Sequence, residues 1–561
     1  MNKKWQIYEP NEKEVNKISQ KFNINKLLAS IIVNRNVPEN GIQTFLNPTR
    51  NNFHDPFNMP DMKVAVDRIL QAIKNQEKTI IYGDYDVDGI TSITVLKSFL
   101  KDAGLDVGYY IPNRLKEGYG LNKPAIEKIA KDGYTLMITV DCGITGIEEI
   151  DYAKTLGIET IVTDHHEPGD GLPNALAVVD CKRKDNKHEC RDLAGVGVAF
   201  KVSQAIGTKL KMNENEWLKY LDIVCLGTIS DIVPLVDENR TITKLGLMLV
   251  KQTKNMGLKS LLISSGYKNI DSTTISFGIA PRINACGRLG HADDALKLFL
   301  SKDIYEVNEL TNKLNEYNKI RQETEKSIYK EAEEQIEEKE LYKNPVIVVG
   351  GENWHHGVIG IVSSKITEKY FKPSILLCYE EGLAQGSGRS IPGFDLHQGL
   401  MKCQDTIEKF GGHSMAIGIT LKKDNVEEFS KELENVAKEE HIEEITPVIN
   451  IDAKVDLSDV NKSVVESLEQ LEPYGEGNKM PIFAFKNLKI DSIRSISEGK
   501  HIKMTLKEGS TIINAIGFNL GNLADDYKIG DKIDVAGNLE INSFNGVESL
   551  QINIKDAKKS I

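Results

Sequence analysis

The chain has 561 residues, a formal net charge of −12 and a hydrophobic content of 40%. These values are ordinary for a soluble globular protein of about three or four domains, and the acidic balance argues against a protein that coats nucleic acid by bulk charge. No apolar run reaches the ~18 residues of a membrane span. The start, MNKKWQIYEPNEKEV, lacks the apolar core of a signal peptide, so we expect a cytoplasmic protein without membrane association.

The seven cysteines are scattered and odd in number, which fits a reduced cytoplasmic protein better than a disulfide scaffold. Cys181, His188 and Cys190 lie close together in CKRKDNKHEC. Their spacing matches no usual zinc site and no second ligand pair follows, so a structural zinc is the weaker interpretation of this segment.

The chain from about residue 64 alternates between two patterns. Amphipathic helical patterns cover 64–73, 90–104, 123–133 and 146–157, and short β-branched strand patterns cover 78–84, 106–112, 135–143 and 159–166. This alternation predicts an α/β domain with a mostly parallel, doubly wound sheet.

The pattern changes near residue 300. Apolar residues at helical spacing over 304–336, with charges elsewhere, predict one long connecting helix; we favour a solvated spacer over a functional coiled coil. A smaller α/β unit follows, and the last ~115 residues contain short strands separated by turn residues, which predict a small β-barrel. The expected units are an N-terminal segment (1–60) packing on the first α/β domain (61–265), a linker (266–342), a second α/β domain (343–440) and the barrel (445–561).

Three acids follow the predicted strand in TIIYGDYDVDGITS, with no lysine or arginine among them. They are Asp84, Asp86 and Asp88. A calcium loop of the EF-hand kind would need a glutamate where Val95 stands and a helix where the strand lies, so that interpretation fails. A simple solvated turn would not require three alternating acids directly after a buried strand.

Three other predicted strands end in metal-ligand residues: DCG supplies Asp141, TDHH supplies Asp164, His165 and His166, and VCLGTISDIVPL supplies Asp231. Parallel strands of an open α/β sheet bring such residues to one carboxyl edge, where ligands bind. Carboxylates with one or two histidines suit Mn²⁺ or Mg²⁺, and their number predicts two cations, which would neutralise acids that otherwise repel each other.

The motifs DYDVDG, DCG, DHH and SDIVPL resemble the four motifs of the DHH phosphoesterase superfamily. GIAPRINACGRLG, WHHGVIGIVSSKI, GSGRS, FGGH and LEPYGEGN, in this order, resemble the RecJ family of single-strand-specific DNA exonucleases over nearly the full length. The resemblance implies a DHH domain, a linking helix, a DHHA1 domain and an OB-fold barrel. It also implies 5′-to-3′ degradation of single-stranded DNA by two-metal hydrolysis in DNA repair and recombination. A helicase and a single-strand-binding protein are candidate partners, which the sequence itself does not identify.

The resemblance also assigns roles. It implies metal ligation by Asp84, Asp86, Asp88, Asp141, His165 and Asp231, with Asp141 bridging two ions. His166 would contact the scissile phosphate or transfer a proton, and Asp164 would orient a histidine rather than bind metal.

An acidic protein that cuts a polyanion needs local positive charge. Arg282, Asn284 and Arg288 lie in PRINACGRLGH, which we predict to be a loop suited to phosphate; a surface salt-bridge loop is the alternative. His356 and Ser364 flank a predicted helix start after Gly357. Ser387 and Arg389 in GSGRS, on a predicted loop, and His413 in GGHS, at a predicted helix start, complete the expected phosphate-binding surface, although glycine loops are often simple turns.

The barrel has four phenylalanines that could stack on bases, Phe483, Phe485, Phe518 and Phe544, although most of them could belong to the core. Two alternative functions remain open: a DHH phosphoesterase of short oligonucleotides or cyclic dinucleotides, and a catalytically inactive DNA-binding scaffold. The long linker and the barrel favour a polymer substrate, and the retention of every motif acid argues against an inactive scaffold.

Overall fold

The computed structural model describes residues 3–544 and 546–560. The chain begins with one strand and three helices: β1 (Lys4–Ile7), α1 (Glu12–Phe22), α2 (Lys26–Asn34) and α3 (Ile42–Leu46). Asn11 and Asn25 cap the first two helices with side-chain oxygens that accept backbone N–H groups. The segment 1–60 was expected to pack on the first α/β domain, but it divides. Helices α1–α3 share a buried core with the C-terminal barrel, whereas residues from Phe53 onward join the core of the first α/β domain; α3 also contacts that domain, because Phe45 and Leu46 accept hydrogen bonds from Arg240 and Lys244.

A five-stranded parallel sheet forms the first α/β domain, as predicted. Its strands lie in the order β3-β2-β4-β5-β6. All residues of β2 and β4 are buried, as expected for a sheet that helices cover on both faces. The elements are α4 (Met62–Asn75), β2 (Thr79–Gly83), α5 (Val87–Asp102), β3 (Gly108–Tyr110), α6 (Lys123–Lys131), β4 (Leu136–Val140), α7 (Ile147–Thr155), β5 (Glu159–Asp164) and β6 (Ala177–Asp180).

Helices follow the sheet: α8 (Gly195–Lys209), α9 (Asn215–Leu218), α10 (Leu221–Ser230), α11 (Asp237–Val250), α12 (Met256–Ser265), a π-helix (Thr274–Ile279), α13 (Ala280–Arg288) and α14 (Ala292–Leu300). The prediction that a strand precedes Asp231 is therefore wrong, because Asp231 follows helix α10. Every residue of α10 from Leu221 to Ile229 is buried, so its apolar run has no polar face, and sequence periodicity cannot distinguish such a helix from a buried strand.

The prediction of a loop for PRINACGRLGH is also wrong, because most of the segment, up to Arg288, lies in α13. Pro281 stands in the first turn, where a missing backbone N–H costs nothing. Gly287 serves close packing within the helix: a Cβ there would lie 2.5 Å from the backbone oxygen of Tyr85. The long connecting helix is confirmed as α15 (Ile304–Glu338).

The second α/β domain has the strand order β10-β11-β9-β8-β7, with β7 parallel to β8 and the other pairs antiparallel. Its elements are β7 (Ile347–Glu352), α16 (His356–Tyr370), β8 (Ser374–Glu380), β9 (Leu383–Arg389), α17 (Leu396–Lys402), β10 (Lys409–His413), β11 (Ala416–Lys422) and α18 (Val426–Glu439). GSGRS therefore lies in strand β9 and GGHS at the end of strand β10, and not in a loop and at a helix start as predicted. Gly386 and Gly388 allow tight packing, since a Cβ would lie 2.5 Å from Leu377 and 2.8 Å from Ile417.

The C-terminal strands form the predicted barrel, which closes through pairing of β14 with β17. Phe483 and Phe485 are fully buried in its core, whereas Phe518 is exposed. The side chain of Phe544 lies outside the described residues. The elements are β12 (Val448–Ile451), β13 (Ala453–Lys454), α19 (Lys462–Leu468), β14 (Phe483–Ile496), β15 (His501–Glu508), β16 (Thr511–Gly517), α20 (Leu523–Asp526), β17 (Lys532–Phe544) and β18 (Val547–Lys559); β12 pairs with β1.

Candidate metal centre and phosphate pocket

The DYDVDG turn forms a strand-to-helix junction at the carboxyl edge of the first sheet. Asp86 is the N-cap of α5, and its Oδ1 accepts the N–H groups of Asp88 at 2.9 Å and Gly89 at 3.1 Å. A Cβ at Gly89 would lie 2.3 Å from the backbone oxygen of Asp84, so the turn requires a glycine there. The turn therefore fixes the positions of all three acids.

Asp88 is buried against the first residues of α8. Its carboxylate accepts the N–H groups of Gly195 at 2.6 Å and Val196 at 2.8 Å. The positive end of a helix stabilises a carboxylate in this position. Burial and the nearby Asp86 nevertheless raise the pKa of Asp88 to about 7.

His165 lies at the centre of the acids that the sheet edge and α10 supply. Its Nε2 is 3.1 Å from Oδ1 of Asp141, 3.6 Å from Oδ2 of Asp231 and 3.7 Å from Oδ2 of Asp88. Burial and the neighbouring His166 lower the pKa of His165 to about 4. The imidazole is therefore neutral near pH 7, and its nitrogen can donate a lone pair to a cation.

The site as a whole has the donor set of a divalent cation centre. Burial and the neighbouring carboxylates raise the pKa of Asp84, Asp141 and Asp231. Within the described residues, the buried Oδ1 of Asp84 and Nε2 of His165 have no hydrogen-bond partner. Three sets of ligand atoms lie within 4.8 Å of one another: Asp84 with Asp86 and Asp141; Asp88 with His165 and Asp231; and Asp141 with His165 and His166. Hard oxygen donors with imidazole fit Mn²⁺ or Mg²⁺. We call the seven different residues of these three sets the acidic cluster.

Asp164 lies behind His166. Its Oδ1 is 2.7 Å from Nδ1 of His166, and its carboxylate also accepts the N–H groups of Ile144 at 2.9 Å and His165 at 2.8 Å. Burial lowers the pKa of His166, but the Asp164 hydrogen bond and the surrounding carboxylates outweigh burial and raise it to about 9. The hydroxyl of Tyr119 lies 3.3 Å from the ring. Asp164 thus fixes the orientation and the charge of His166.

A pocket of about 570 Å³ lies between the two α/β domains and contains three arginines, Arg114, Arg288 and Arg389. Burial and the neighbouring Arg114 lower the pKa of Arg288 to about 10, and the same causes lower the pKa of Arg389. Arg288 donates to the backbone oxygen of Gly357 at 2.7 Å and Arg389 to Oγ of Ser387 at 3.0 Å. In the described part of the chain, no carboxylate forms an ion pair with any of the three. This arginine pocket is therefore suited to an anion.

The expected phosphate-binding residues are divided by the fold. Arg288, His356, Ser387 and Arg389 line the arginine pocket. The other four do not line it: Arg282 donates to Oδ1 of Asn315 at 2.7 Å, Asn284 accepts the N–H of Val87 at 3.3 Å, Ser364 donates back to Gly360 within α16, and His413 is exposed at the end of β10.

Sequence reasoning missed Arg114, Tyr119 and Gly195. Arg114 lies in the segment after β3, with its guanidinium carbon 5.2 Å from the centre of the Tyr85 ring. Arg114 follows a predicted strand, so the expectation that ligand-binding residues follow the strands of a parallel sheet could also have identified it. Gly195 belongs to no recognisable motif, so the sequence gives no signal for it.

No helix among residues 3–544 and 546–560 has both the length and the apolar character that crossing a membrane requires. All seven cysteines are free and buried. His188 lies 3.2 Å from Glu238, and Cys181 Sγ contacts the backbone oxygen of Leu193, so these side chains do not converge on a zinc site.

Three family models match the chain: the DHH family N-terminal domain over 78–228, the DHHA1 domain over 343–439 and the RecJ OB domain over 451–556. The single-stranded-DNA-specific exonuclease RecJ of Bacillus subtilis strain 168 is 39% identical over 99% of this chain and 71% of its own length. The protein of the same name from Haemophilus influenzae is 33% identical over 90% of this chain and 92% of its own length.

Solved structures agree with these matches. The crystal structure of RecJ in complex with Mn²⁺ from Thermus thermophilus has a TM-score of 0.85 at 27% identity, covering 100% of this chain and 80% of that one. A structure of exonuclease RecJ bound to manganese has a TM-score of 0.61 at 32% identity, covering 69% of this chain and 97% of that one. The chain therefore belongs to the RecJ family.

Proposed function

We propose that this protein is a single-stranded-DNA-specific exonuclease that uses two Mn²⁺ or Mg²⁺ ions and removes nucleotides from a 5′ end. The main observation is that a buried cluster of carboxylates surrounds a neutral His165 next to the arginine pocket. The similar RecJ proteins are single-stranded-DNA-specific exonucleases and a related crystal structure contains Mn²⁺, which supports the same reaction and cofactor.

Six residues of the acidic cluster would hold the two cations: Asp84, Asp86, Asp88, Asp141, His165 and Asp231, with Asp141 contributing to both sites. Bound cations would supply Lewis acidity at the phosphate and a lower pKa for an attacking water. His166, oriented by the contact of its Nδ1 with Asp164, would donate a hydrogen bond or a proton from Nε2 to the phosphodiester. Asp164 would keep the ring of His166 oriented through the reaction.

The arginine pocket would bind the terminal 5′-phosphate. Its three guanidinium groups repel one another, and a bound anion would offset this repulsion. In the same way, bound cations would offset the repulsion between the carboxylates of the acidic cluster. A terminal phosphate held there would present a nearby phosphodiester to the acidic cluster. This arrangement would make the enzyme an exonuclease, because an internal segment of DNA has no terminal phosphate to offer.

The barrel would bind the strand further along, with the exposed Phe518 as a stacking surface. The free cysteines are compatible with a cytoplasmic location. We expect the activity to serve DNA repair and recombination, with a helicase and a single-strand-binding protein as partners; co-purification with either protein would test this expectation.

Degradation of long single-stranded DNA labelled at either end, in Mn²⁺, tests the proposed function. The substrate set includes a blunt duplex, a circular single strand and dinucleotides, and the control protein is Asp141→Asn. We expect only linear single strands to shorten, from the 5′ end, and the variant to be inactive. Cleavage of dinucleotides alone would indicate a phosphoesterase of short oligonucleotides, and binding without cleavage by the wild type would indicate a scaffold.

A further inference from the structure

The arginine pocket is larger than a single terminal phosphate requires. Its volume of about 570 Å³ lies within the roughly 300–1,000 Å³ of cavities that enclose drug-sized ligands. Its lining continues from the arginines along one face of the second sheet, and from Arg389 to Gln385 this face spans four residues of β9, or about 13 Å. We call this part of the lining the pocket extension; its residues are Gln385, Lys409, Gly411, Gly418 and Thr420.

Two glycines form the floor of the pocket extension. Gly411 in β10 and Gly418 in β11 lie opposite each other, and Gly418 also lies opposite Ser387 in β9. A Cβ added at either glycine would have no atom within 4 Å, and neither glycine has a positive φ. Packing and backbone conformation therefore do not require glycine at these two positions, in contrast to Gly386 and Gly388. A side chain at position 411 or 418 would instead project into the pocket.

The positive charge of the lining exceeds the charge of one phosphate. Lys409 lies in the same cross-strand row as Gln385 and Thr420, and with it the lining contains four arginine and lysine side chains. No acidic side chain lines the pocket, and Lys409 forms no ion pair within the described residues. Glu380 lies 3.7 Å from Nε2 of His356 but is mostly exposed and does not belong to the lining. A phosphate monoester carries about −1.5 to −2 near pH 7, so it would neutralise only about half of the four positive charges.

We propose that the pocket extension binds further phosphate groups attached to the terminal phosphate, so that the protein also degrades strands with a 5′-triphosphate end. The inference rests on the proposed function, which assigns the terminal phosphate to the three arginines. The phosphate bonded to the 5′ oxygen would stay beside these arginines, and the second and third phosphates would lie over Gly411 and Gly418 towards Lys409. Their negative charges would offset the positive charges that a monophosphate leaves unneutralised.

The bond that breaks is the same for both kinds of strand. Water attacks the phosphorus between the first two nucleotides, the bond from this phosphorus to the 3′ oxygen of the first nucleotide breaks, and that oxygen takes a proton. The shortened strand then has a 5′-monophosphate, and the released nucleotide keeps its three phosphates. The first product is therefore a nucleoside triphosphate, and every later product is a nucleoside monophosphate.

The test compares two DNA strands of one sequence, one with a 5′-monophosphate and one with a 5′-triphosphate, in saturating Mn²⁺. We expect the wild type to degrade both, and mass spectrometry to detect one nucleoside triphosphate for each triphosphate strand. Lys409→Gln should lower the ratio of kcat/KM for the triphosphate strand to kcat/KM for the monophosphate strand by about 10-fold, the lower end for a charge-assisted hydrogen bond, because Lys409 is exposed. The matched control is Lys431→Gln, an exposed lysine of α18 that pairs with Glu427, which should keep the wild-type ratio.

Gly411→Val tests the floor without changing the charge. The added side chain would occupy the space of the second and third phosphates, so the same ratio should fall. The melting temperature should not fall, because a Cβ at this position meets no atom and valine suits a strand. Gly171→Val, which is also open around its Cβ but lies outside the pocket, is the control and should keep the wild-type ratio.

Three results would overturn the inference: a triphosphate strand that stays intact while the monophosphate strand is degraded, a monophosphate as the first product, or a ratio that neither Lys409→Gln nor Gly411→Val lowers. Inhibition by free dATP without cleavage of the triphosphate strand would assign the pocket extension to free nucleotides and would also overturn it.

Binding of each strand in Ca²⁺, measured by fluorescence polarisation of a 3′ label, gives a readout without turnover. If the wild type degrades neither strand, the proposed function fails, and the binding measurement still decides whether the pocket extension holds the added phosphates. Lys409→Gln should then weaken binding of the triphosphate strand more than binding of the monophosphate strand, and equal weakening would contradict the inference.

Discussion

Gly195 and Asp141 pack so closely that a Cβ added to Gly195 would lie 2.7 Å from the Cβ of Asp141. The same glycine donates its N–H to Asp88. The backbone at Gly195 therefore sets the separation between Asp141, which follows β4, and Asp88, at the start of α5. A larger residue at position 195 would force these acids to move.

Gly195→Ala should reduce exonuclease activity because the added methyl group would displace Asp141 from the other ligands. Displacements of this size near a reacting centre cost about 100-fold in rate. The measurement is kcat/KM on a single-stranded substrate with saturating Mn²⁺. Gly171→Ala, an exposed position with no atom within 4 Å of the added Cβ, is the control and should retain full activity. If Gly195→Ala retained wild-type activity, the exact position of Asp141 would not matter for catalysis.

Mn²⁺ should raise the melting temperature of the wild type. Cations that bind the folded state alone stabilise it by about 2.7 kcal/mol at 100 times Kd, which corresponds to roughly 5–10 °C for one domain. Asp141→Asn should lose most of this shift. Asparagine tolerates the φ of 58° at this position, so the backbone is preserved. Without metal, the variant should melt at or above the wild-type temperature, because an unpaired buried charge has been removed. An unchanged Mn²⁺ shift would contradict the proposed ligand role of Asp141.

Arg114→Gln should weaken the preference for a 5′-phosphorylated end. A charge-assisted hydrogen bond contributes about 1.5–3 kcal/mol, so KM for the phosphorylated strand should rise about 10- to 100-fold, whereas a 5′-hydroxyl strand should change little. Competition between the two strands in one reaction measures the preference. Arg50→Gln, an exposed position in the N-terminal segment, is the matched control. Equal losses on both strands would place the terminal phosphate elsewhere.

His54 links the N-terminal segment to α11 and should make stability depend on pH. Its hydrogen bond to Asp237 Oδ1, at 3.0 Å, raises its pKa above the ordinary value of 6.5. The stabilising contribution is therefore full below about pH 6.5 and declines as pH rises through the higher folded-state pKa. The melting temperature of wild type minus that of His54→Gln should be larger at about pH 6 than at about pH 9.

The control for this pH effect is His441→Gln, because His441 is an exposed histidine that follows α18. That variant should show no pH-dependent difference from the wild type. If the melting temperature of wild type minus that of His54→Gln increased with pH, the Asp237 contact would not favour the protonated ring.

Much of the site could be predicted because strand ends are visible in the sequence. The patterns around Asp84, Asp141 and His165 identify parallel strands, and parallel strands deliver their next residues to one edge. Asp231 was expected at the same place for a wrong reason, since a helix buried on all sides has no periodic signal.

The rest of the site depends on contacts between distant segments. Arg114 follows a predicted strand, but its place in the arginine pocket depends on packing of the second α/β domain, which brings Arg389 close, and no local pattern predicts that packing. Glycines near Arg389 indicated a loop, but they serve tight side-chain packing within a strand.

The central claim is that the acidic cluster is a centre for two divalent cations. Anomalous diffraction at the manganese edge from crystals soaked in Mn²⁺ tests it directly. We predict two peaks about 3.5–4 Å apart, one beside Asp84 and Asp86 and the other beside Asp88, His165 and Asp231, with Asp141 beside both. A cluster without a peak, or with one peak even at saturating Mn²⁺, would contradict the two-cation account.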